Sequence, residues 1–431
     1  MVKIAIITAG GAGMFCGSCM QDNTLARTLR LAGEDAVLVP TYTPIRVDEE
    51  NASIDEVFLG GVNVYLDSTV PGWKRLPRWM TSWLNRPSII SLLTRFGSST
   101  EASKLGSLTL DMLRGSAGPQ RREIEEFVDY LCDDLKPDVV IFSNALLSGV
   151  VPTLRPRYEG RILCLLQGDD IFLEGLTPRW KQPVLQQLTE NGRQFDGFLA
   201  HSKYYAHFMA SYLTLPIEKI RKIPLSIDTS TATSDSMSLL PSEEEKQPQN
   251  IFRIGYFARI CPEKGVQNLL SAAKVLLPGN SNVRIPIAGY LPGQHRAWFD
   301  RLLADVQQVA PGQIEYLGSP AGRDEKFDVI RSFDVLCVPT EYQEPKGIYV
   351  LESALHNVPS VLPRHGAFPE LIQQLGCGTL YDPLDEKGLE TALQQCIDES
   401  TKNRVSLADK VCSLFGMEST AQTLRDVIHS F

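Results

Sequence analysis

The sequence alternates short runs of Val, Ile and Leu with longer segments of helical periodicity along almost its whole length. Short apolar runs are typical of strands buried on both faces, and helical segments between them are typical of parallel sheets covered by helices. The predicted fold class is therefore α/β. The predicted strands cover residues 3–8, 36–40, 62–66, 138–142, 162–166, 197–200, 220–224, 252–258, 284–288, 314–317, 335–339, 360–362 and 379–381.

The alternation is interrupted between residues 228 and 250, where Ser, Thr, Pro and acidic residues replace the periodic pattern, as in a solvated linker. A chain of 431 residues is also too long for one ordinary core. The sequence predicts an N-terminal Rossmann-like domain and a C-terminal one, each binding ligands beyond the carboxyl ends of its strands. The predicted segments are a first domain over 1–229, a linker over 230–250, a second domain over 251–412 and a last helix over 413–431 that crosses back to the first domain.

Charge and cysteine content narrow the partners and the compartment. A net charge of -9 gives no global attraction to nucleic acid, and nine cysteines without a secretory signal indicate thiols in a reducing compartment. No apolar run reaches the roughly 20 residues that span a bilayer. We predict a cytoplasmic protein without a nucleic-acid partner.

One segment departs from the acidic average. Residues 68–100 contain no acid, but they contain Trp73, Trp79 and Trp83 among five basic residues. This mixture suits peripheral contact with the inner membrane face, and it also suits a buried insertion whose basic stems pass between aromatic rings, which the acidity of the remaining chain favours.

The first strand of the second half leads into ARICPEKG, which places Arg259 just past the strand and Lys264 with Gly265 at the start of the next helix. A helix N-terminus offers unpaired N–H groups and a positive dipole. With a guanidinium and an ammonium beside it, this end suits a diphosphate, although basic residues taken alone are usually surface charges.

A second motif, EPKGIYVLE, places Glu344 in a loop and Glu352 in the helix that begins near Gly347. The amides of Gly347, Ile348 and Tyr349 would point at an anion or at sugar hydroxyls, and the Glu352 carboxylate can accept hydrogen bonds from a ribose diol. Two acids on an exposed helix face are the simpler interpretation. The helix is largely apolar, however, so a buried Glu352 needs a partner.

The spacings R-x4-K-G and E-x7-E together resemble the donor-site signature of glycosyltransferase family 4. AGYLPG, residues 316–318 and residues 359–372 are similar to further segments of that family, so the likeness covers nearly the whole C-terminal domain. The resemblance implies a GT-B fold of two doubly wound Rossmann-like domains facing across a cleft. It also implies that Arg259 and Lys264 hold the leaving diphosphate, that Glu352 holds the ribose, and that Glu344 with the amides of 347–349 holds the transferred sugar.

In the N-terminal domain, the first strand leads into a glycine-rich turn with Gly10, Gly11 and Gly13. A dinucleotide fingerprint is the rival interpretation, but no acid ends the second strand, VLVPTY. By resemblance, this turn is the glycine loop that faces the donor phosphates. The C-x-x-C of Cys16 and Cys19 lacks a second half-site for zinc, which favours packing or pocket lining over a metal or redox role.

Further polar residues of this domain are predicted at the site. Asp22 and Asn23 either cap the next helix or bind acceptor hydroxyls. Gln167 stands where members of the family commonly have histidine, so its predicted role is orientation of the donor sugar and not proton transfer. Asp169 either contacts the acceptor or caps a helix.

The sequence therefore predicts a metal-independent enzyme that transfers a hexosyl group, with retention, from a nucleotide diphosphate sugar to a hydroxyl of a glycan or a lipid-linked sugar. No cofactor is expected besides that co-substrate, and Arg259, Lys264 and Glu344 are the predicted catalytic residues. Two alternatives stay open: a nucleotide-sugar epimerase of the same fold, and a catalytically degenerate nucleotide-sugar-binding module.

Overall fold

The computed structural model describes residues 1–10, 17–59, 102–231, 251–399 and 406–431. These residues form two compact units, Met1–Ser226 with Thr420–Phe431, and Ile227–Ser419. The predicted strand at 62–66, the Trp-rich basic segment at 68–100 and most of the predicted linker lie outside the described residues.

Six described strands form a parallel sheet in the first unit, in the order β2-β1-β3-β4-β5-β6. Its central strands are buried at nearly every position, which explains why the sequence shows continuous apolar runs there and not an alternating pattern. The strands are β1 (Lys3–Thr8), β2 (Asp35–Pro40), β3 (Val139–Phe142), β4 (Arg161–Leu166), β5 (Gly197–Ala200) and β6 (Ile220–Lys222).

Helices cover this sheet. The described α-helices are α1 (Gly17–Leu31), α2 (Ala102–Leu113), α3 (Arg121–Asp129), α4 (Val151–Leu154), α5 (Asp169–Glu174), α6 (Pro178–Gly192) and α7 (Lys203–Tyr212). Helix α3 continues as a π-helix over Tyr130–Leu135, which ends at Lys136 in the left-handed conformation, with φ of 49°.

The end of the chain also belongs to the first unit. Leu424 and Ile428 are buried against the apolar side chains of β1 and β4. Arg425 and His429 bind the buried carboxylate of Glu34, at 2.7 and 2.9 Å. Apolar burial and this ion pairing together hold the last helical turns on the first sheet.

The second unit has the same architecture, with a six-stranded parallel sheet in the order β12-β11-β10-β7-β8-β9. Its strands are β7 (Phe252–Phe257), β8 (Val283–Ala288), β9 (Ile314–Gly318), β10 (Val335–Cys337), β11 (Ser360–Pro363) and β12 (Thr379–Tyr381). Its described α-helices are α8 (Val266–Leu276), α9 (Arg296–Val309), α10 (Arg323–Arg331), α11 (Ile348–Leu355), α12 (Phe368–Leu375), α13 (Gly388–Asp398) and α14 (Ala408–Phe415), and α15 (Met417–His429) runs into the first unit.

These sheets confirm the prediction of two doubly wound Rossmann-like domains. In each unit the strand order reverses beside the first strand, between β1 and β3 in one sheet and between β7 and β10 in the other. Ligands of such sheets bind outside the carboxyl ends of the strands at this switch point. In the part of the chain that the structure describes, no helix combines the length and the apolar character needed to cross a bilayer.

Candidate active site

The loop after β7 places two cations at the switch point of the second sheet. Arg259 is exposed just beyond the strand, and the turn Pro262–Lys264 leads to Gly265 at the start of α8. Gly265 has φ of 72°, and a Cβ there would overlap the carbonyl oxygen of Pro339 after β10. Glycine is needed here both for its backbone conformation and for this close approach, which brings Lys264 against the end of β10.

The Lys264 ammonium is enclosed by groups of the loop after β10 and of α11. It donates to Glu344 Oε2 at 2.6 Å and to the Tyr342 hydroxyl at 2.8 Å. It also lies 4.8 Å from the ring centre of Tyr342 and 5.2 Å from that of Tyr349. Hydrogen bonding, charge and cation–π attraction therefore fix one position for the ammonium.

Glu344 is buried, with 4% of its surface exposed. Burial alone would raise the pKa of its carboxyl group, but the Lys264 ammonium and the hydroxyls of Tyr342 and Tyr349 outweigh that effect and lower the pKa. The carboxylate therefore stays ionised at neutral pH. Lys264 and Glu344 form a charge-balanced pair, and the exposed residue Arg259 lies in the same loop as Lys264.

Two further contacts hold the Glu344 loop. Gly366 has φ of 60°, and a Cβ there would lie 2.6 Å from the backbone nitrogen of Glu344. The Ala367 N–H donates to the Glu344 carbonyl at 2.8 Å, and the Glu341 N–H donates to the Glu263 carbonyl at 3.0 Å. The loops after β7, β10 and β11 are thus packed into one cluster.

Helix α11 begins directly after this loop. Gly347 occupies its N-cap position with φ of 73° and makes no side-chain cap, and Ile348 and Tyr349 form its first turn. The first N–H groups of a helix have no partner within the helix, so this end can bind an anion or hydroxyls. The Tyr349 hydroxyl donates to Glu344 at 3.0 Å, which links the helix start to the Lys264 pair.

A buried Glu352 is expected to need a partner, and a lysine side chain of the same chain is that partner. Lys326 of α10 donates to Glu352 Oε1 at 2.9 Å. The E-x7-E spacing gives no indication of this lysine. A signal was present in α10 itself, because Lys326 lies on its apolar face with Phe327 and Ile330, where a lysine is unusual.

In the first unit, a buried polar network joins the carboxyl ends of three strands. Asp22 is completely buried, and its carboxylate accepts from the Thr8 hydroxyl and from Gln167 Nε2, each at 2.7 Å. Gln167 Nε2 also donates to the Ser143 carbonyl at 2.8 Å. These contacts fix the orientation of the Gln167 amide at the switch point of this sheet.

The glycine turn is described in part. Gly10 has φ of 85°, and a Cβ there would overlap the Thr43 carbonyl oxygen, so this turn requires glycine. Gly11, Gly13 and Cys16 lie outside the described residues, while Cys19 is a buried free thiol. The described residues include no cluster of three or more His, Cys, Asp or Glu side chains suited to a metal ion.

The expectation that Asp22 and Asn23 begin a helix is wrong. Helix α1 begins at Gly17, so both residues lie inside it and cannot cap it. Asn23 is buried and ties the following loop to α1, because its amide donates to the Glu50 carbonyl at 2.9 Å and accepts from the Ala52 N–H at 2.8 Å. Both polar ends of Asn23 are used in this tie.

Asp169 is likewise buried, and it accepts from the backbone N–H groups of Ala145 at 2.9 Å and Gln167 at 3.2 Å. The N-cap of α5 is Gly168, so the capping interpretation of Asp169 is wrong. Burial raises the pKa of Asp169 to about 6, against the lowering effect of the two N–H donors.

This raised pKa predicts an unusual pH dependence of stability. Between about pH 4 and 6 the folded chain holds a proton at Asp169 that the unfolded chain has released, so this group lowers the unfolding free energy as pH rises. We expect the unfolding free energy of the wild type minus that of Asp169→Asn to increase by about 2–3 kcal/mol from pH 7 to pH 4 in urea titrations. Exposed Asp133→Asn serves as the control, and an equal pH profile for Asp169→Asn and wild type would contradict the raised pKa.

Comparisons with known proteins agree with the fold of two Rossmann-like domains. The sequence model of glycosyl transferases group 1 matches residues 241–410, which is less than half of the chain. No curated protein matches the sequence. Solved structures match over nearly the full length, although at low sequence identity.

Three of these structures indicate the class of fold. Sucrose-phosphate synthase from Thermosynechococcus elongatus has a TM-score of 0.69 at 16% identity, covering 100% of this chain and 99% of that chain. Anabaena HepE in complex with UDP and glucose has a TM-score of 0.68 at 16% identity, covering 100% of both chains. Trehalose-6-phosphate from E. coli bound with UDP-2-fluoro glucose has a TM-score of 0.62 at 12% identity, covering 99% of this chain and 98% of that chain.

The chain thus has the GT-B fold of glycosyltransferases. Within its second unit, Arg259, Lys264, Glu344 and Glu352 all lie in the segment that matches the group 1 sequence model.

Proposed function

We propose that the chain is a retaining glycosyltransferase of family 4 that moves a hexosyl group from a nucleotide diphosphate sugar to a hydroxyl acceptor. The observation that carries the proposal is the cluster of Arg259, the Lys264–Glu344 pair and the start of α11 at the switch point of the second sheet. This is where a doubly wound sheet binds its ligand, and the cluster combines cations with unpaired N–H groups.

In this proposal, each group of the cluster has a separate task. Arg259 and Lys264 bind the diphosphate and offset the negative charge that develops on it as the glycosyl bond breaks. Glu344 and the amides of Gly347, Ile348 and Tyr349 hold the transferred sugar. Glu352 accepts hydrogen bonds from the ribose. The two cations and the helix dipole do the electrostatic work for which other transferases use a divalent ion.

The network of the first unit supports a positioning role in the same reaction. Gln167 cannot titrate, and Asp22 orients its amide with a 2.7 Å hydrogen bond. We assign Gln167 to the orientation of the donor sugar and Asp22 to the orientation of Gln167. The acceptor is proposed to be a glycan or a lipid-linked sugar, and contact of the basic Trp-rich segment with a membrane would suit the lipid-linked acceptor.

An epimerase would need carboxylates placed to exchange protons with its substrate. The sequence offers Asp22 and Asp169 for this task, but both are buried and accept hydrogen bonds from protein donors. That arrangement favours transfer over epimerisation. A degenerate binding module is disfavoured because Lys264 and Glu344, the proposed catalytic residues, form an ion pair at 2.6 Å.

Calorimetric titration of UDP and GDP into the full chain tests the donor site. UDP is tried first because HepE and the E. coli relative were solved with UDP or UDP sugars. We expect saturable binding of one diphosphate and at least a tenfold loss of affinity in Arg259→Ala, because a charge-assisted contact to phosphate is removed. Exposed Arg301→Ala on α9 is the matched control.

Incubation with the corresponding nucleotide sugar then tests turnover. Release of the diphosphate, increased by a hydroxyl acceptor, supports transfer. Binding without any release supports the degenerate module instead, and the absence of binding by either diphosphate would overturn the proposal.

A further inference from the structure

Lys326 occupies a position where a lysine needs a specific reason. It lies on the apolar face of α10, and 9% of its side chain is exposed. Burying an ammonium group is costly unless it is paired and hydrogen-bonded. An uncharged side chain of similar length would fill the same space without that cost, so the charge itself calls for an explanation.

The ammonium is directed at Glu352. Its Nζ lies 2.9 Å from Glu352 Oε1 and 4.9 Å from the ring centre of Phe327. The Phe327 ring is buried and packs on His356 with a centroid distance of 4.6 Å. A rigid aromatic surface therefore holds the lysine head group in place.

Glu352 is held in turn. Its side chain is 14% exposed, and within the described part of the chain its Oε1 accepts a hydrogen bond from Lys326. Glutamate has several rotatable bonds, so a carboxylate without such a bond would sample many orientations. The ion pair both balances the charge and restricts the direction of Oε2.

Glu352 also lies on the same helix as Tyr349, which belongs to the donor cluster. It lies one helical turn after Tyr349, whose hydroxyl binds Glu344, and residues three apart share a helix face. The carboxylate that Lys326 fixes therefore lies on the side of α11 that faces the Lys264 pair.

We propose that Lys326 is a positioning residue for nucleotide recognition: it orients the Glu352 carboxylate so that the carboxylate accepts hydrogen bonds from the ribose hydroxyls. This inference rests on the proposed function. It goes further by assigning part of the discrimination between ribose and deoxyribose to a residue outside the R-x4-K-G and E-x7-E motifs.

The test compares ribonucleoside diphosphate with its 2′-deoxy and 3′-deoxy analogues by calorimetry on the full chain, with the base that the wild type prefers. We expect the wild type to prefer the ribonucleotide over at least one analogue by about tenfold, the value of a charge-assisted hydrogen bond. In Lys326→Met, ribonucleotide affinity should fall about tenfold and the preference should shrink below about threefold, with the affinity for that analogue nearly unchanged. Lys326→Arg, which retains the charge, should restore part of the preference.

Two further variants isolate the pair. Arg331→Met on the same helix removes a cation that pairs with Asp328 at the surface, and it should leave the preference intact. Glu352→Gln should reduce the preference as Lys326→Met does, and the double variant should be no worse than either single one. The double variant leaves neither buried charge without its partner. A reduced ribonucleotide preference in that variant therefore reflects recognition and not a folding defect.

Each outcome has one meaning. If Lys326→Met keeps the preference for the ribonucleotide and weakens the binding of all ligands equally, the positioning role is overturned and the proposed function stands. A wild type that binds the ribonucleotide and both analogues alike also overturns it. A wild type that binds no nucleoside diphosphate overturns the proposed function and this inference together.

Discussion

Replacing Lys264 with methionine is expected to lower kcat/KM for glycosyl transfer about 1,000-fold and to weaken diphosphate binding at least tenfold. The ammonium is half-buried in the cluster, where Glu344 and two tyrosine rings fix its position. Its charge can offset the departing diphosphate without reorganisation at the moment of reaction. Steady-state rates with the nucleotide sugar, together with calorimetry, measure both effects.

Two controls separate this effect from a general loss of stability. Lys274→Met, on the same helix α8, removes an exposed lysine that pairs with Asp305 at 3.6 Å and should leave the rate unchanged. Lys264→Met leaves the buried Glu344 carboxylate without its ammonium, whereas Lys264→Met with Glu344→Gln does not. Recovery of stability in the double variant, with the rate still low, supports the assigned role, and recovery of the rate would contradict it.

Glu344→Gln is expected to separate binding from transfer. The substitution removes the negative charge 2.6 Å from the Lys264 ammonium, which is then more available to a phosphate. We expect diphosphate affinity to increase about threefold to tenfold, and kcat to fall about 100-fold because the carboxylate proposed to hold the sugar is lost.

The same calorimetric and rate measurements decide the outcome. Tighter binding with slower transfer is a combination that a misfolded variant cannot produce. Weaker binding of the diphosphate would show that Glu344 supports Lys264 and does not compete with the ligand for it. An unchanged rate would remove Glu344 from the catalytic residues.

Much of the fold could be predicted because buried parallel strands produce continuous apolar runs in the local sequence. The runs at β1, β3 and β4 are apolar at nearly every position, since helices cover the sheet. The sequence predicts element boundaries less closely where backbone geometry decides them. Helix α1 begins at Gly17, before the predicted cap residues Asp22 and Asn23, and β10 ends at Cys337, before the predicted strand end at 339, because neither limit depends on side-chain polarity.

The motifs located the candidate site but not its internal contacts. Arg259, Lys264, Glu344 and Glu352 were recognised from spacing, and the structure places them on loops and a helix beside one switch point. The tyrosines around Lys264 and the link from Asp22 to Gln167 were not predicted. Asp22 and Gln167 are 145 residues apart, and such pairs leave no periodic signal.

The sequence by itself therefore determined the α/β class, the two-domain organisation and the residue types of the candidate donor site, because strand burial and short motifs are local properties of the chain. Only the tertiary structure decided which charges meet. It pairs Lys264 with Glu344 and Lys326 with Glu352, and it gives Asp169 its raised pKa. Charge pairing and desolvation depend on distances between elements remote in sequence, and those distances are fixed only when the sheets and helices have packed.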